Sequence, residues 1–409
     1  MKRKVIIPDG TDLNSTAQPK AKLHGQILTC ISDHYNLFRN EVTMDLELNG
    51  KPLSEHDYNS LFIEVMDKLP NGKGFSKVAF DVVMHSNFIP SYNPIASFFQ
   101  EHSLPDEVTT GNIDKLVESL HLVHNAEIKS RAGMEPQGFV SIILKKWLVG
   151  MVASVYDTNY NVLMPVLIGP KGCGKTEFWR RLLPDPLKRY FTQCKFNNGK
   201  DDEALMCENL MVLNDELDGL HAKEARTFRN FISANHYTYR PPYGKRNIKR
   251  KRLASVCGAS NDAGVILDPE NNRRIVPIEI FSVNRDLYNS IDKTALIMEA
   301  HKLFRQGFDW NLSRAEIDLL DTFSKGYEVV TIETELIQRY YMKGTIQYTA
   351  TEIMGQLQEK APQYRLKVTN IGKALRFLGF VPEKKKINGY VQQVYGVTPL
   401  FNQPELHTL

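Results

Sequence analysis

Apolar positions along this chain recur with several spacings, and each spacing predicts its own kind of element. Residues 26–40 follow helical spacing. Val42, Met44, Leu46 and Leu48 then alternate with Thr43, Asp45 and Glu47 up to Asn49-Gly50, which predicts a half-buried strand and a turn. Ser54, with Asp57 three residues on, opens a predicted helix over 57–69, and Ser76 opens another through about Met84. Helical spacing returns over 112–125 and 139–156. Short apolar runs of strand length follow at 162–168, 210–213, 253–260 and 275–280, then a helix over 291–306 and a helical connection over 312–344. Beyond them come helices over 351–360 and 370–378 and two strands within 380–397 that turn at Asn388-Gly389. Buried strands separated by helices predict an α/β core with a parallel sheet. The domain reading is a flexible leader over 1–25, an α-rich N-terminal module over 26–135, a core over 136–310, a helical connection over 311–344 and a winged-helix-like domain over 345–409.

Composition changes this picture little. A chain of 409 residues with 42% hydrophobic residues has material for two or three globular domains. Its net charge of +4 is too small to signal nucleic-acid binding over the whole surface, so any basic surface is local. Its five cysteines form no C-x-x-C pair and have no histidine partner at zinc-finger spacing, which points to a reduced cytoplasmic setting without structural zinc. The basic start MKRKVIIPDG lacks an apolar secretory run. Lys145 and Lys146 lie mid-helix in 139–156, where a lysine would cost about 3 kcal/mol in a bilayer, so that helix is expected in a protein core and no membrane partner is expected.

The chemistry concentrates in GPKGCGKT, residues 169–176, which fits G-x-x-x-x-G-K-[ST] with an apolar strand before it and a helix over 177–183 after it. Gly169, Gly172 and Gly174 let backbone N–H groups turn toward a polyphosphate, Lys175 reaches the β and γ phosphates, and the Thr176 hydroxyl holds Mg²⁺. The loop by itself therefore predicts a nucleoside triphosphate held with Mg²⁺. A second carboxylate on the metal side is needed, and Asn214-Asp215-Glu216 after the run 210–213 supplies it, with Asp215 toward the metal and Glu216 toward the attacking water. Asn261 ends the strand 253–260; it reads either as a contact to the γ-phosphate or as a turn residue. Arg273 and Arg274 precede the strand 275–280 and read as an arginine finger for a neighbouring subunit or as a basic turn.

Residues 225–261 contain no acid. Within them Arg240, Lys245, Arg246, Lys249, Arg250, Lys251 and Arg252 surround a Pro241-Pro242-Tyr243-Gly244 bend, with Tyr237, Tyr239 and Tyr243 interleaved. Cations for phosphates and tyrosine faces for bases are what a single strand asks of a groove; a solvated basic hairpin is the plainer alternative. Lys367, Lys373, Arg376, Lys384, Lys385 and Lys386 give the C-terminal helix and wing a positive edge suited to duplex DNA, or else a solvated lysine run on a helical cap.

The order of phosphate loop, Asp-Glu pair, basic hairpin, strand-end Asn and Arg-Arg within 169–274 resembles superfamily 3 helicases. The stretches FISANHYTYRPPYGK, GASN and NNRRIVPIEI more closely resemble the virulence-associated protein E family of prophages, genomic islands and other mobile elements. The resemblance covers residues 163–310, and more weakly 38–53 and 93–100. It implies an AAA+-like P-loop NTPase core that assembles as a homo-hexameric ring, whose hairpins enter a central channel and pull single-stranded DNA with each ATP cycle. The function implied is a replicative helicase or initiator, with duplex origin DNA a second partner through the C-terminal domain. By the same resemblance Lys175, Thr176, Asp215 and Glu216 form the nucleotide site, Asn261 the sensor and Arg273 or Arg274 the finger, and Lys245, Arg246 and Lys249 touch the strand. The competing function is an ATP-dependent initiator or sensor that assembles on nucleic acid without unwinding it. A small-molecule kinase would leave the acid-free hairpin without a role.

Overall fold

The computed structural model describes residues 23–69, 74–102, 111–124, 126–156, 160–196, 199–215, 222–240, 246–266, 272–328, 331–387 and 389–400. The predicted leader over 1–25 lies almost wholly outside them. The chain divides into two compact units, Met1–Lys325 and Gly326–Leu409.

The first unit opens with helix α1 (Leu23–His34) and the short strands β1 (Leu37–Asn40), β2 (Leu46–Leu48) and β3 (Lys51–Pro52). Helices α2 (Glu55–Lys68) and α3 (Lys77–Met84) start at Ser54 and Ser76, whose hydroxyls accept from the backbone three residues on; Asp57 completes the capping box at Ser54. Strand β4 (Ser91–Tyr92) closes a sheet of order β3-β2-β1-β4. The strand expected from alternation over 42–48 forms only in part. The Asn40 side chain accepts from the Val42 and Thr43 amides at 2.8 and 3.3 Å, and Met44 turns at φ 67, so this local bond wins over the ladder until Leu46.

Helix α4 (Pro94–Glu101), capped by Asn93, sends Ile95, Phe98 and Phe99 into the main core. The helix expected over 112–125 stops early: α5 (Asn112–Glu118) gives way to β5 (Leu120–Leu122), which pairs with a later strand. The first amides at the α5 start, on Gly111, Asn112 and Ile113, donate to the buried Glu299 carboxylate at 2.7–3.3 Å.

Helices α6 (Ala126–Ala132) and α7 (Pro136–Ala153) come next. α7 buries Phe139, Ile143, Trp147 and Met151 completely or nearly so, each contributing about 1.5–3 kcal/mol. Lys146 sits among them because its ammonium donates to the Asp309 and Asn311 carbonyls at 2.7 and 2.6 Å and pairs with Glu316 at 3.3 Å. Among the described residues no helix is long and apolar enough to cross a membrane.

The core then runs β6 (Met164–Ile168), α8 (Lys175–Arg180), a 3-10 turn (Asp185–Tyr190), β7 (Phe191–Cys194), α9 (Lys200–Glu208), β8 (Met211–Asp215), α10 (Ala222–Phe231), β9 (His236–Tyr239), β10 (Ile248–Lys251), β11 (Ser255–Ser260) and β12 (Ile275–Val283). Helices α11 (Arg285–Ser290), α12 (Lys293–Arg305) and α13 (Arg314–Phe323) finish it. Its sheet has the order β5-β12-β6-β11-β8-β7, parallel throughout except for β5. The Trp147 and Trp179 indoles donate to the Val256 and Gly258 carbonyls at 3.0 and 2.9 Å, tying α7 and α8 to the middle strand β11. Strands β9 and β10 form a separate two-stranded sheet.

The second unit contains α14 (Ile332–Tyr340), β13 (Tyr341–Thr349), α15 (Ala350–Lys360), α16 (Val368–Phe377), β14 (Pro382–Ile387) and β15 (Tyr390–Pro399), with sheet order β13-β15-β14. The expected helices and the two paired strands are present, Asn388 of the expected turn lies outside the described residues, and β13 adds a strand that helical spacing did not foretell. Ile353, Leu357, Ile371, Leu375, Tyr395 and Val397 form its core.

Candidate functional site

Residues 169–174 link β6 to α8, and each motif glycine has its own physical reason. A Cβ on Gly169 would lie 2.3 Å from the Ile280 carbonyl oxygen, so only glycine lets the loop leave β6 beside β12. Gly172 and Gly174 turn at φ +80 and +103, the left-handed region that favours glycine. The Val283 amide donates to the Cys173 carbonyl at 2.9 Å and fastens the loop from the side. Lys175 is 7% exposed, with its ammonium folded over the loop: it donates to the Gly169 and Pro170 carbonyls at 2.7 and 2.9 Å and to Asn261 Oδ1 at 3.1 Å. Thr176 is half-buried one residue on.

Two further motif residues reach the same edge. Parallel register pairs Ser260 with Ile168 and Ala259 with Asp215, so β11 stands between the loop strand and the acid strand, and all three end together. Ligand sites in open α/β sheets form at this carboxyl edge. Asp215 is half-buried and accepts from Gln193 Nε2 at 2.6 Å. Asn261 is exposed apart from its contact with Lys175. Glu216 lies outside the described residues.

Arg273 and Arg274 are placed at the other edge of the sheet. Asn272 builds their turn by accepting from the Ile275 amide at 3.0 Å, and the Arg274 carbonyl accepts from the Met164 amide at 2.8 Å, at the start of β6 rather than its end. The length of a five-residue strand, about 16 Å, therefore separates them from their own loop. Arg273 is exposed and Arg274 half-buried, with its Nε buried and unpartnered among the described residues. Burial lowers the Arg274 pKa, and Arg229 and Arg273 nearby push it the same way.

The hairpin lies at this same edge, since the Arg252 amide donates to the Asn235 carbonyl just before β11 begins. Antiparallel register sets Lys249 opposite Thr238 and Arg250 opposite Tyr237. Arg240, Arg246 and Lys249 are exposed, whereas Tyr243 and Lys245 lie outside the described residues.

Arg250, Lys251 and Arg252 are occupied within the fold, contrary to their reading as strand contacts. Arg252 is 1% exposed, and its guanidinium donates to the Ala254 carbonyl at 2.8 Å and to the Ile232 carbonyl. Arg250 donates to the Glu41 and Val42 carbonyls at 3.0 and 2.6 Å, and Lys251 to the Ser154 and Tyr156 carbonyls at 2.8 and 2.9 Å. Tyr237 and Tyr239 are buried, with hydroxyls on the Phe231 carbonyl and Glu208, so neither offers a ring face to a base. In the second unit Lys367, Lys373, Lys384, Lys385 and Lys386 are exposed along α16 and the edge strand β14.

Sequence reasoning missed the residues that seat the N-terminal module on the core. The Glu47 carboxylate is 1% exposed and receives Asn40 Nδ2 at 2.7 Å, the Tyr92 hydroxyl at 2.5 Å and the Arg189 guanidinium. Burial raises the Glu47 pKa, but these hydrogen bonds and the Arg189 charge outweigh it and hold the carboxyl below its ordinary value. The only signal in the sequence was an acid within an alternating stretch.

These features define a mixed α/β protein with its glycine-loop lysine, an acid and an amide gathered at the carboxyl edge of a parallel sheet. A family model described as the virulence-associated protein E-like domain matches residues 119–329, more than half of the chain, and the chain belongs to that family. No curated protein matches it. Among solved structures it is similar to the apo structure of the NrS-1 C-terminal region, at 12% identity over 91% of this chain and 98% of that one, with a TM-score of 0.46. An A-form apo structure of the same region matches at 12% identity, 91% and 99% coverage and a TM-score of 0.42.

Proposed function

We propose that the protein is an ATP-driven motor or initiator for the replication of a mobile element, acting on single-stranded DNA as a homo-hexamer. In this reading residues 136–310 are an AAA+-like P-loop NTPase core, and residues 345–409 a winged-helix-like domain for duplex origin DNA. The observation that carries it is the meeting of Lys175 and Asn261 at 3.1 Å with Asp215 one strand away, at the edge where the glycine loop opens.

The residues present fit a nucleotide with its metal. The left-handed glycines leave the loop amides free of side-chain cover, and the Lys175 ammonium can exchange the Gly169 and Pro170 carbonyls for phosphate oxygens. Thr176 and Asp215 would hold Mg²⁺, which when bound draws charge from the β and γ oxygens. Glu216 orients the attacking water and takes up its proton. Asn261, released as Lys175 moves, turns its amide toward the γ-phosphate or that water. Arg273 or Arg274, distant from its own loop, serves the loop of the adjacent subunit. Arg240, Arg246 and Lys249, together with Tyr243 and Lys245, contact the strand.

Purified protein is expected to hydrolyse ATP faster when single-stranded DNA is added at low salt, and Lys175→Ala to lose that activity. An equal rate with and without nucleic acid contradicts the motor; stimulated hydrolysis without displacement of a forked strand restricts it to the non-unwinding initiator.

A further inference from the structure

Asp215 does not stand alone at the carboxyl edge of the sheet. Gln193, the third residue of β7, donates from Nε2 to Asp215 Oδ2 at 2.6 Å, and its Oε1 accepts from the Arg180 guanidinium at 3.1 Å. Arg180 in turn pairs with Glu177, three residues back on α8, at 2.5 Å. Side chains from α8, β7 and β8 thus form one line that ends on the acid.

Strand register and helix periodicity bring this line about. Parallel pairing sets Gln193 beside Leu213, and Asp215, two residues on, projects from the same face of the sheet. Thr176 and Arg180 are four residues apart on α8, so the hydroxyl of the glycine-loop motif and the guanidinium share one side of that helix. A guanidinium can only donate and a carboxylate can only accept, so the Gln193 amide has one orientation that satisfies both neighbours. Its N–H therefore belongs to Asp215. That bond is charge-assisted, the stronger kind, and by holding Oδ2 it fixes the plane of the carboxyl and the direction in which Oδ1 faces.

Resting on the reading of Asp215 as the acid on the metal side, we propose that Gln193 is the positioning residue of this site: it turns the Asp215 carboxylate toward the metal of a bound Mg·nucleotide, and Arg180 sets Gln193. Its action runs through Asp215 and not through contact with the nucleotide. The edge strand β7 thereby gains a task that neither 169–176 nor 214–216 carries. Partners that stand behind a metal ligand change metal affinity by about 10–100-fold when removed, and the exposure of Gln193 and Arg180 places the effect here near the lower figure.

Calorimetric titration of the full chain with ATP, once with Mg²⁺ and once with EDTA, reads the gain in affinity that the metal brings. Asp215→Asn is expected to remove most of that gain. Gln193→Leu is expected to reduce it about tenfold while changing the affinity in EDTA less than about twofold, and Arg180→Met to reduce it about threefold. Both positions are exposed, so these variants should melt like the parent. If Asp215→Asn removes the gain while Gln193→Leu retains it, or if Gln193→Leu weakens ATP equally with Mg²⁺ and with EDTA, the positioning role is overturned and the reading of Asp215 stands. If the parent gains nothing from Mg²⁺, or Asp215→Asn gains as much as the parent, the reading of Asp215 falls and the positioning role with it.

Discussion

Lys175 at rest is held by its own loop and by Asn261, so a ligand that attracts its ammonium also frees the amide on the next strand. That pairing was readable only in part. The spacing of 169–176 identified the loop and its lysine, because glycine conformations and a single cation suffice for the pattern. Contact with Asn261 depends on β11 lying beside β6, which no local spacing encodes. The basic hairpin shows the converse. Alternation correctly separates Tyr237 and Tyr239 from Thr238 and Arg240, yet it cannot say which face is inward, and the inward face took the tyrosines together with Arg250. Arg252→Met should therefore destabilise the fold by about 3 kcal/mol, because two buried carbonyls lose a charged donor. Lys249→Ala should leave thermal stability within about 0.5 kcal/mol of the parent and reduce the salt dependence of single-strand binding by ~0.7 in log–log slope. Melting curves and binding titrations at several salt concentrations distinguish the two roles; a stable Arg252→Met protein that loses DNA affinity would reverse them.

At the scale of elements, capped helices were the most legible. Ser54 with Asp57, and Ser76, mark helix starts that the structure retains, because a cap is a local bond. Elements decided by distant partners were less so: β5 ends a predicted helix because β12 is there to pair with it, and β13 forms against β15 across the second unit. The seat of the N-terminal sheet is of this kind, since Glu47 on β2 meets Arg189 on the 3-10 turn before β7. With its folded pKa below the ordinary value, the Glu47 carboxyl contributes stability that is full above the usual carboxylate range and is lost as pH falls through the lower folded value. Glu47→Gln should lower the melting temperature at pH 7, by about 1–2 kcal/mol of stability, and the gap from the parent should close in acid. Melts of both proteins from pH 7 to pH 3 check this; a constant gap would show that the carboxylate charge is not what holds the module.

For the whole molecule, the layout gives the two edges of one sheet different tasks. Loop, acid and amide share the carboxyl edge, while the arginine pair and hairpin share the other; in the motor proposed above, a subunit would therefore offer to a neighbour what it lacks at its own site. Alternating apolar runs and helices made the α/β class legible, and the motif order made the family legible; which motifs face together required the strand order. A ring is the closed assembly that repeats such a heterologous contact. Native mass measurement with ATP and single-stranded DNA should therefore yield a six-subunit species, and a strictly monomeric protein under those conditions would oppose the ring.

The central claim is that the hydrolytic site is completed between subunits, and complementation tests it most directly. Lys175→Ala protein and Arg273→Ala/Arg274→Ala protein, each inactive alone, are mixed at several ratios, and ATP hydrolysis is followed with single-stranded DNA present. Partial recovery of activity in the mixtures is the predicted result. No recovery at any ratio, in mixtures shown by mass to contain both subunits, would contradict the shared site.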